Sequence, residues 1–399
     1  MATVLEQGPF AGMKPPAILQ VIPTLDTGGA ERTTLDMAAA ILRAGGRALV
    51  ASHGGRLVPE LVAMGASHIM LPVHTKNPVE MIANIWRLRA LIAREGVDLV
   101  HARSRAPAWS ALAAARLAHV PFVTTYHSKV HEGPASKVFY NSVMTRGNAV
   151  IANSAFTAEA IRRVHHTPDA KLFTVPRGVD TAIFDPQAVD PARIEALRRA
   201  WGVEPGQFIF LLPARLTRWK GQTLAIEAAA RLGGRTGQSF ALVLAGDAQG
   251  RDAYVTELRA QIARLGLLDR AKLAGHVIDM PAAYLLADAA LAPSLEAEPF
   301  GRVPVDAQAM GCPVIVSDAG GQRETVIDPA ESCEAATGFR VQPGNIEALA
   351  QAMERVLGLD SQARAAMGKR GRARVCADFS LDAMCARTLE IYACLLKKR

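Results

Sequence analysis

The sequence predicts an α/β fold made of two doubly wound units, and three observations carry that reading. Short apolar runs alternate with longer helical patterns along the whole chain. The alternation comes in two separate series, and the 399 residues exceed what one core usually holds and suit two domains of about 150 to 200 residues. Apolar runs without polar alternation mark strands buried on both faces, as in a parallel sheet wrapped by helices.

In the first series strands are predicted at residues 18–23, 47–52, 99–102, 122–126, 149–152 and 172–175, with helices such as 31–43 and 78–95 between them. A helix at 191–201 leads into the second series, with strands at 208–213, 240–245, 271–274, 289–292, 313–316 and 338–341. Pro186, Pro191 and Pro205 punctuate polar sequence between the two series, which places the linker near 185–190 and the domains at 1–187 and 188–379. The closing helix, within 380–399, ends in Lys397, Lys398 and Arg399, whose charges complement a helix C-terminus. Two such domains imply a cleft where strand C-termini converge and ligands bind.

With half the residues hydrophobic and 21% charged, a disordered chain is excluded. Apolar stretches such as 111–118 are broken by Arg116 and fall short of the roughly 20 residues a membrane helix needs. Residues 1–16, with Glu6, Gly8, Pro9 and Pro15-Pro16, offer neither the basic nor the apolar region of an export signal. The cysteines at 312, 333, 376, 385 and 394 form no CxxC pair, which argues against a zinc site and a disulfide framework and suits a reducing, cytoplasmic setting. The net charge of +8 is uneven: residues 1–185 hold 19 basic against 13 acidic side chains, and nine of the ten histidines.

Three segments could carry chemistry. The turn after the first strand, Thr24 to Glu31, contains Gly28-Gly29, where free backbone N–H groups suit a phosphate or a sugar hydroxyl. Directly after the strand 208–213 stand Arg215 and Lys220, five residues apart, which can converge on one diphosphate while Arg218 stays on the surface. The most specific segment runs from Glu298-Pro299-Phe300-Gly301-Arg302 to Asp306. There two carboxylates eight positions apart, one on a loop and one in the helix it opens, can each accept from hydroxyl groups of an extended ligand. Asp306 parallels the acidic residue that binds ribose in dinucleotide folds.

With these segments the chain resembles the family 4 retaining glycosyltransferases of GT-B fold, two Rossmann-like doubly wound domains facing across an interdomain cleft. Further signposts occur in family order over essentially the whole length: His127, Asn153-Ser154, residues 176–180, Gly246-Asp247, Gly275 and Gly320-Gly321-Gln322-Arg323-Glu324. The resemblance implies that Arg215 and Lys220 bind the nucleotide diphosphate and stabilise its departure. It implies that Glu298, with backbone N–H groups near Phe300 and Gly301, holds donor-sugar hydroxyls, and that His127 lies beside that sugar. Gly28, Gly29, Asn153, Gly246, Gly275 and Arg302 complete the donor set. The second acidic position of the family's Glu-x7-Glu motif is Asp306 here, shorter by one methylene.

The resemblance also implies that the first domain, with the closing helix packed back on it, binds the acceptor, a glycan or lipid-linked molecule of cell-surface polysaccharide or lipopolysaccharide assembly. The basic segment 128–146, with Lys129, Lys137 and Arg146, is then expected to meet the anionic inner membrane from the cytoplasmic side. The chain lacks an Asp-x-Asp pair, so neutralisation of the diphosphate falls to Arg215, Lys220 and helix N-termini, and neither a metal nor another cofactor is expected.

Rival readings fare worse. A basic nucleic-acid-binding protein fits the pI near 9.4, but aromatic residues are only 5% and no recognition motif is present. An NAD-dependent oxidoreductase lacks GxGxxG after the first strand. A nucleotide-sugar epimerase or a phosphorylase could use the same scaffold, but the spacing of Arg215 to Lys220 and Glu298 to Asp306 favours a transferase.

Overall fold

The computed structural model describes residues 8–26 and 28–398; Thr27 and Arg399 lie outside it, as does the start of the N-terminal segment. The chain forms two units, one comprising Met1–Pro176 with Leu381–Arg399 and the other Arg177–Ser380. The division thus falls at Pro176, before the proline-punctuated stretch expected to be the linker. That stretch belongs to the second unit because its apolar residues Phe184 and Val189 are buried there beside Val179, Trp201 and Ile209.

The first unit contains β1 (Ala17–Val21), β2 (Arg47–Ser52), β3 (Ser67–Met70), β4 (Leu99–Ala102), β5 (Phe122–Tyr126), β6 (Ala149–Ala152) and β7 (Leu172–Thr174). They form one parallel sheet in the order β3-β2-β1-β4-β5-β6-β7. Every residue of β1, β4, β5 and β6 is buried, as their unbroken apolar character requires. β3 escaped the sequence reading because it begins Ser67-His68 and is an edge strand paired only with β2, so little of it needs to be apolar.

Helix starts follow their sequence signals. Asn77 accepts from the backbone of Val79 and Glu80 ahead of the helix Pro78–Glu95, and Asp190 accepts from Ala192 ahead of Pro191–Trp201. The last helix, Leu381–Lys397, packs beside the helix Gly29–Arg43. Its Tyr392 is fully buried with its hydroxyl on His101 Nδ1, in the middle of the first sheet.

The second unit holds β8 (Phe208–Pro213), β9 (Phe240–Ala245), β10 (Ala271–Gly275), β11 (Ala289–Ala292), β12 (Val314–Ser317) and β13 (Gly338–Val341), parallel in the order β10-β9-β8-β11-β12-β13. In each sheet the strand order reverses direction once, between β1 and β4 and between β8 and β11. At such a reversal the following loops leave to opposite faces and open a crevice at the strands' carboxyl ends, the preferred ligand position of open α/β sheets.

Candidate functional site

In the second unit the crevice at β8 and β11 is where Lys220 and Glu298 meet. The loop after β8 carries Arg215 and Lys220, and the loop after β11 carries Ser294 and Glu298. A backbone bond from Leu295 N to Trp219 O, 2.7 Å, ties the two loops together. Lys220 Nζ lies 2.8 Å from Glu298 Oε1 and 4.2 Å from the centre of the Trp219 ring.

Glu298 Oε1 is oriented by two further donors, Ser294 Oγ and Gln322 Nε2, the latter at 3.3 Å. Gln322 Nε2 also bonds the carbonyl of Ala292 at the end of β11, and Gly321 N donates to Glu298 O at 2.8 Å. All three side-chain donors converge on Oε1, so Oε2 receives none of them. The sequence reading missed Ser294 and the contact of Gln322. The signal for Gln322 was present in Gly320-Gly321-Gln322, since glycines after a strand allow a close backbone approach to the neighbouring loop.

Gly301 caps the helix Arg302–Ala309 at φ +101°, and a Cβ there would stand 2.8 Å from Gln322 Cγ. Only glycine takes this conformation without strain. The Phe300 side chain is buried edge-on against Phe379, so it faces the core and only its backbone remains for a ligand. Asp306 is buried in this helix with Arg302 Nε 3.2 Å from its Oδ2. Burial pushes its carboxyl above the usual range, while the charges of Arg302 and Arg177 pull it down.

Arg215 is exposed, and its guanidinium makes no hydrogen bond or ion pair among the described residues; its backbone carbonyl accepts from Gln222 Nε2 at 2.9 Å. Arg218 is at the surface against Glu257. Gly246 approaches so closely that a Cβ would lie 1.9 Å from the carbonyl oxygen of Ala214, which fixes the Arg215 loop against the end of β9. Gly275 ends β10 with open space around it, remote in sheet order from β11.

The remaining predicted residues belong to the first unit. Gly28 precedes the helix Gly29–Arg43, and a Cβ on it would stand 2.0 Å from Glu31 Oε2. The close approach allowed by this glycine is therefore taken by Glu31's own carboxylate. His127 follows β5 directly and lines a crevice with Arg103 and Arg105. Asn153 is buried after β6, its Oδ1 without a hydrogen-bond partner among the described residues, while Ser154 caps the helix Ala155–His165. His101 is fully buried between Tyr392 and Thr125; burial, with the charges of Arg103 and His127, holds its pKa well below the usual histidine range.

Among the described residues no group of three or more His, Cys, Asp or Glu side chains is arranged to hold a metal ion, and no helix is long and apolar enough to cross a membrane.

Comparison with known proteins gives a consistent picture. The family model "Glycosyl transferases group 1" matches residues 193–374, and "Glycosyltransferase Family 4" matches 27–183. The crystal structure of a glycosyltransferase from Rickettsia africae ESF-5 is 33% identical, with a TM-score of 0.88 over 97% of this chain and 100% of that one. Anabaena Alr3699/HepE, solved in complex with UDP and glucose, is 25% identical with a TM-score of 0.78 over 95% of this chain and 100% of its own. The D-inositol 3-phosphate glycosyltransferase of Xylanimonas cellulosilytica is 28% identical over 333 residues, 79% of this chain and 76% of that protein.

Proposed function

The chain belongs to glycosyltransferase family 4, and from that premise we propose that it moves a sugar from a nucleoside-diphosphate donor to a glycan or lipid-linked acceptor with retention of configuration. The observation that carries this reading is the pairing of Lys220 with Glu298 at the crevice of the second sheet, a cation and a carboxylate held side by side at the carboxyl ends of β8 and β11.

An ammonium has three donors, and one is used by Glu298; the others, with the unpaired Arg215 guanidinium, serve the diphosphate. They stabilise negative charge that grows as the nucleotide leaves. Glu298 Oε2 and backbone N–H groups at the start of the helix Arg302–Ala309 hold sugar hydroxyls. Asp306 meets the ribose through the one edge left by Arg302. The departing phosphate oxygen takes the acceptor's proton, so positioning and charge stabilisation do the work and no lone side chain acts as general base.

The cations at Arg215 and Lys220 supply the neutralisation that a divalent metal gives elsewhere, which supports a metal-independent reaction. The UDP bound in the structure of Anabaena Alr3699/HepE supports a uridine nucleotide as the first one to try. The acceptor is proposed to belong to polysaccharide or lipopolysaccharide assembly at the cytoplasmic face of the inner membrane, a placement supported by the excess of basic residues in 1–185.

Thermal-shift titration with UDP, GDP, ADP and NAD, each with and without EDTA, tests the reading. A nucleotide present at one hundred times its Kd stabilises by about 2.7 kcal/mol. Stabilisation by one of them, unchanged by EDTA and absent in Lys220→Ala, is expected; stabilisation by NAD alone would overturn it.

A further inference from the structure

The first unit has a crevice of its own at the point where its strand order reverses, a cavity of about 210 Å³ at the carboxyl ends of β1, β4 and β5. Its wall is built from the loop after β4, which supplies Arg103, Ser104 and Arg105, and from the loop after β5, which supplies His127 and Ser128. The sequence reading assigned Arg103 and Arg105 nothing, although Arg103 follows its strand end as Arg215 follows β8.

Arg103 is the unusual member. Its side chain turns back into the unit and is only 3% exposed. Nε donates to Gln20 Oε1 at 2.7 Å, and Gln20 in turn donates to Thr34 O. Among the described residues Nη2 has no hydrogen-bond partner and the guanidinium has no ion-pair partner. Burial of this cation is unfavourable and pushes its pKa down. The nearby Tyr392 hydroxyl and the charge of Asp36 offset this only in part.

Two neighbours share the same sign. Arg105 stands with its guanidinium over the Tyr126 ring at 5.7 Å. It is pinned by Nη2 bonds to Ser128 Oγ at 2.7 Å and Lys129 O at 3.2 Å, with Nε buried and unpartnered. Ser104 begins the 13-residue helix Arg105–Leu117, and its side chain makes no capping bond, so the positive end of that helix opens on the crevice. Burial lowers the pKa values of His131 and His165, and the charge of Arg105 adds to the shift, with Lys137 and Lys129 at His131 and His166 at His165. The single carboxylate in the wall, Glu31, is folded back against Gly28.

We infer that this crevice receives an anionic sugar of the acceptor, gripping its phosphate or carboxylate between Arg103, Arg105 and the N-terminus of the helix Arg105–Leu117. The inference rests on the transferase reading for the word acceptor; the anion grip rests on the first unit alone. The two guanidiniums approach from different sides, Arg103 from within the sheet and Arg105 from the rim, which suits an anion with several oxygens carried on a ring. A neutral sugar would bring no negative charge to the Nη2 edge of Arg103.

Isothermal titration of the full chain with glucose, glucose 6-phosphate, glucuronate and inorganic phosphate tests the assignment. At least one of the two sugar anions is expected to bind tenfold or more tightly than glucose, and the better of the two tells phosphate from carboxylate. Arg105→Ala and Arg103→Lys are each expected to weaken that binding tenfold or more; Arg105 is partly exposed and can be removed without opening the core, so it carries the test if the Arg103 variant does not fold.

Sugar anions that bind no better than glucose, or binding that survives Arg105→Ala, would overturn the assignment. Inorganic phosphate binding as tightly as glucose 6-phosphate would overturn the sugar part of it. Titration with UDP, GDP and ADP in parallel separates the two readings: absent nucleotide binding with intact sugar-anion binding sinks the transferase, and the converse sinks the crevice.

Discussion

Lys220 and Glu298 stand 78 positions apart in the chain and 2.8 Å apart in space, with side chains only 13% and 12% exposed. A pair this sheltered is costly to break from one side, because the remaining charge stays buried and unmatched. Lys220→Ala and Glu298→Ala are each expected to lower unfolding free energy by about 3 kcal/mol. The double variant should lose clearly less than the two combined, as a double-mutant cycle in urea would show.

Asp306 carries a pH signature. Burial raises its folded pKa above the 3.8 of a free aspartate, so the fold favours the protonated acid. That contribution is fully present below pH 3.8 and fades as pH rises through the elevated folded value. Asp306→Asn, which cannot ionise, should therefore gain stability relative to the parent between acid and neutral pH while binding nucleotide less tightly. A gap in Tm that stays flat from pH 3 to pH 7 would contradict this.

Two glycines of the predicted site should respond differently to alanine. Gly301, at φ +101° with Gln322 in the way, combines strain with a clash, and Gly301→Ala should cost about 2 to 3 kcal/mol and abolish donor binding by displacing Gln322 from Glu298. Gly275, at φ +67° in open space, should lose only about 1 kcal/mol to the left-handed backbone itself. Chemical denaturation of both variants, with nucleotide titration, checks the ranking.

Removing the Tyr392 hydroxyl leaves His101 Nδ1 without its bond in a place water does not reach. Tyr392→Phe is expected to destabilise by about 1 to 3 kcal/mol, read as a lower urea midpoint at constant m.

Reversing Lys129 and Lys137 to Glu should weaken association with phosphatidylglycerol vesicles by at least about 2 kcal/mol, roughly thirtyfold, since each lysine near an anionic surface contributes about 1 kcal/mol. Sedimentation with vesicles measures it, and unchanged partitioning would remove the membrane from the proposed function.

The strands were legible where burial on both faces forces continuous apolar sequence, as in β8, Phe208–Pro213. β3 was not, because an edge strand can spend positions on Ser67 and His68. The loop residues Arg215, Lys220 and Glu298 were legible from their place after strands. What the sequence could not show is which partner each one takes. Nothing local announces that Ser294 and Gln322 converge on one oxygen of Glu298, or that Arg103 turns inward to Gln20, since those contacts span 4, 24 and 83 positions. The unit boundary was misplaced for a related reason: prolines in 186–205 suggest a linker, but Phe184 and Val189 are buried in the second unit.

The assignment of Leu381–Lys397 to the first unit sets an order for biosynthesis. Arg177–Ser380 is one uninterrupted segment and can complete its core as soon as it leaves the ribosome. The first unit, although translated earlier, must wait with the hydrophobic face of Gly29–Arg43 uncovered and His101 unbonded until Tyr392 emerges. The half made first is therefore the half finished last.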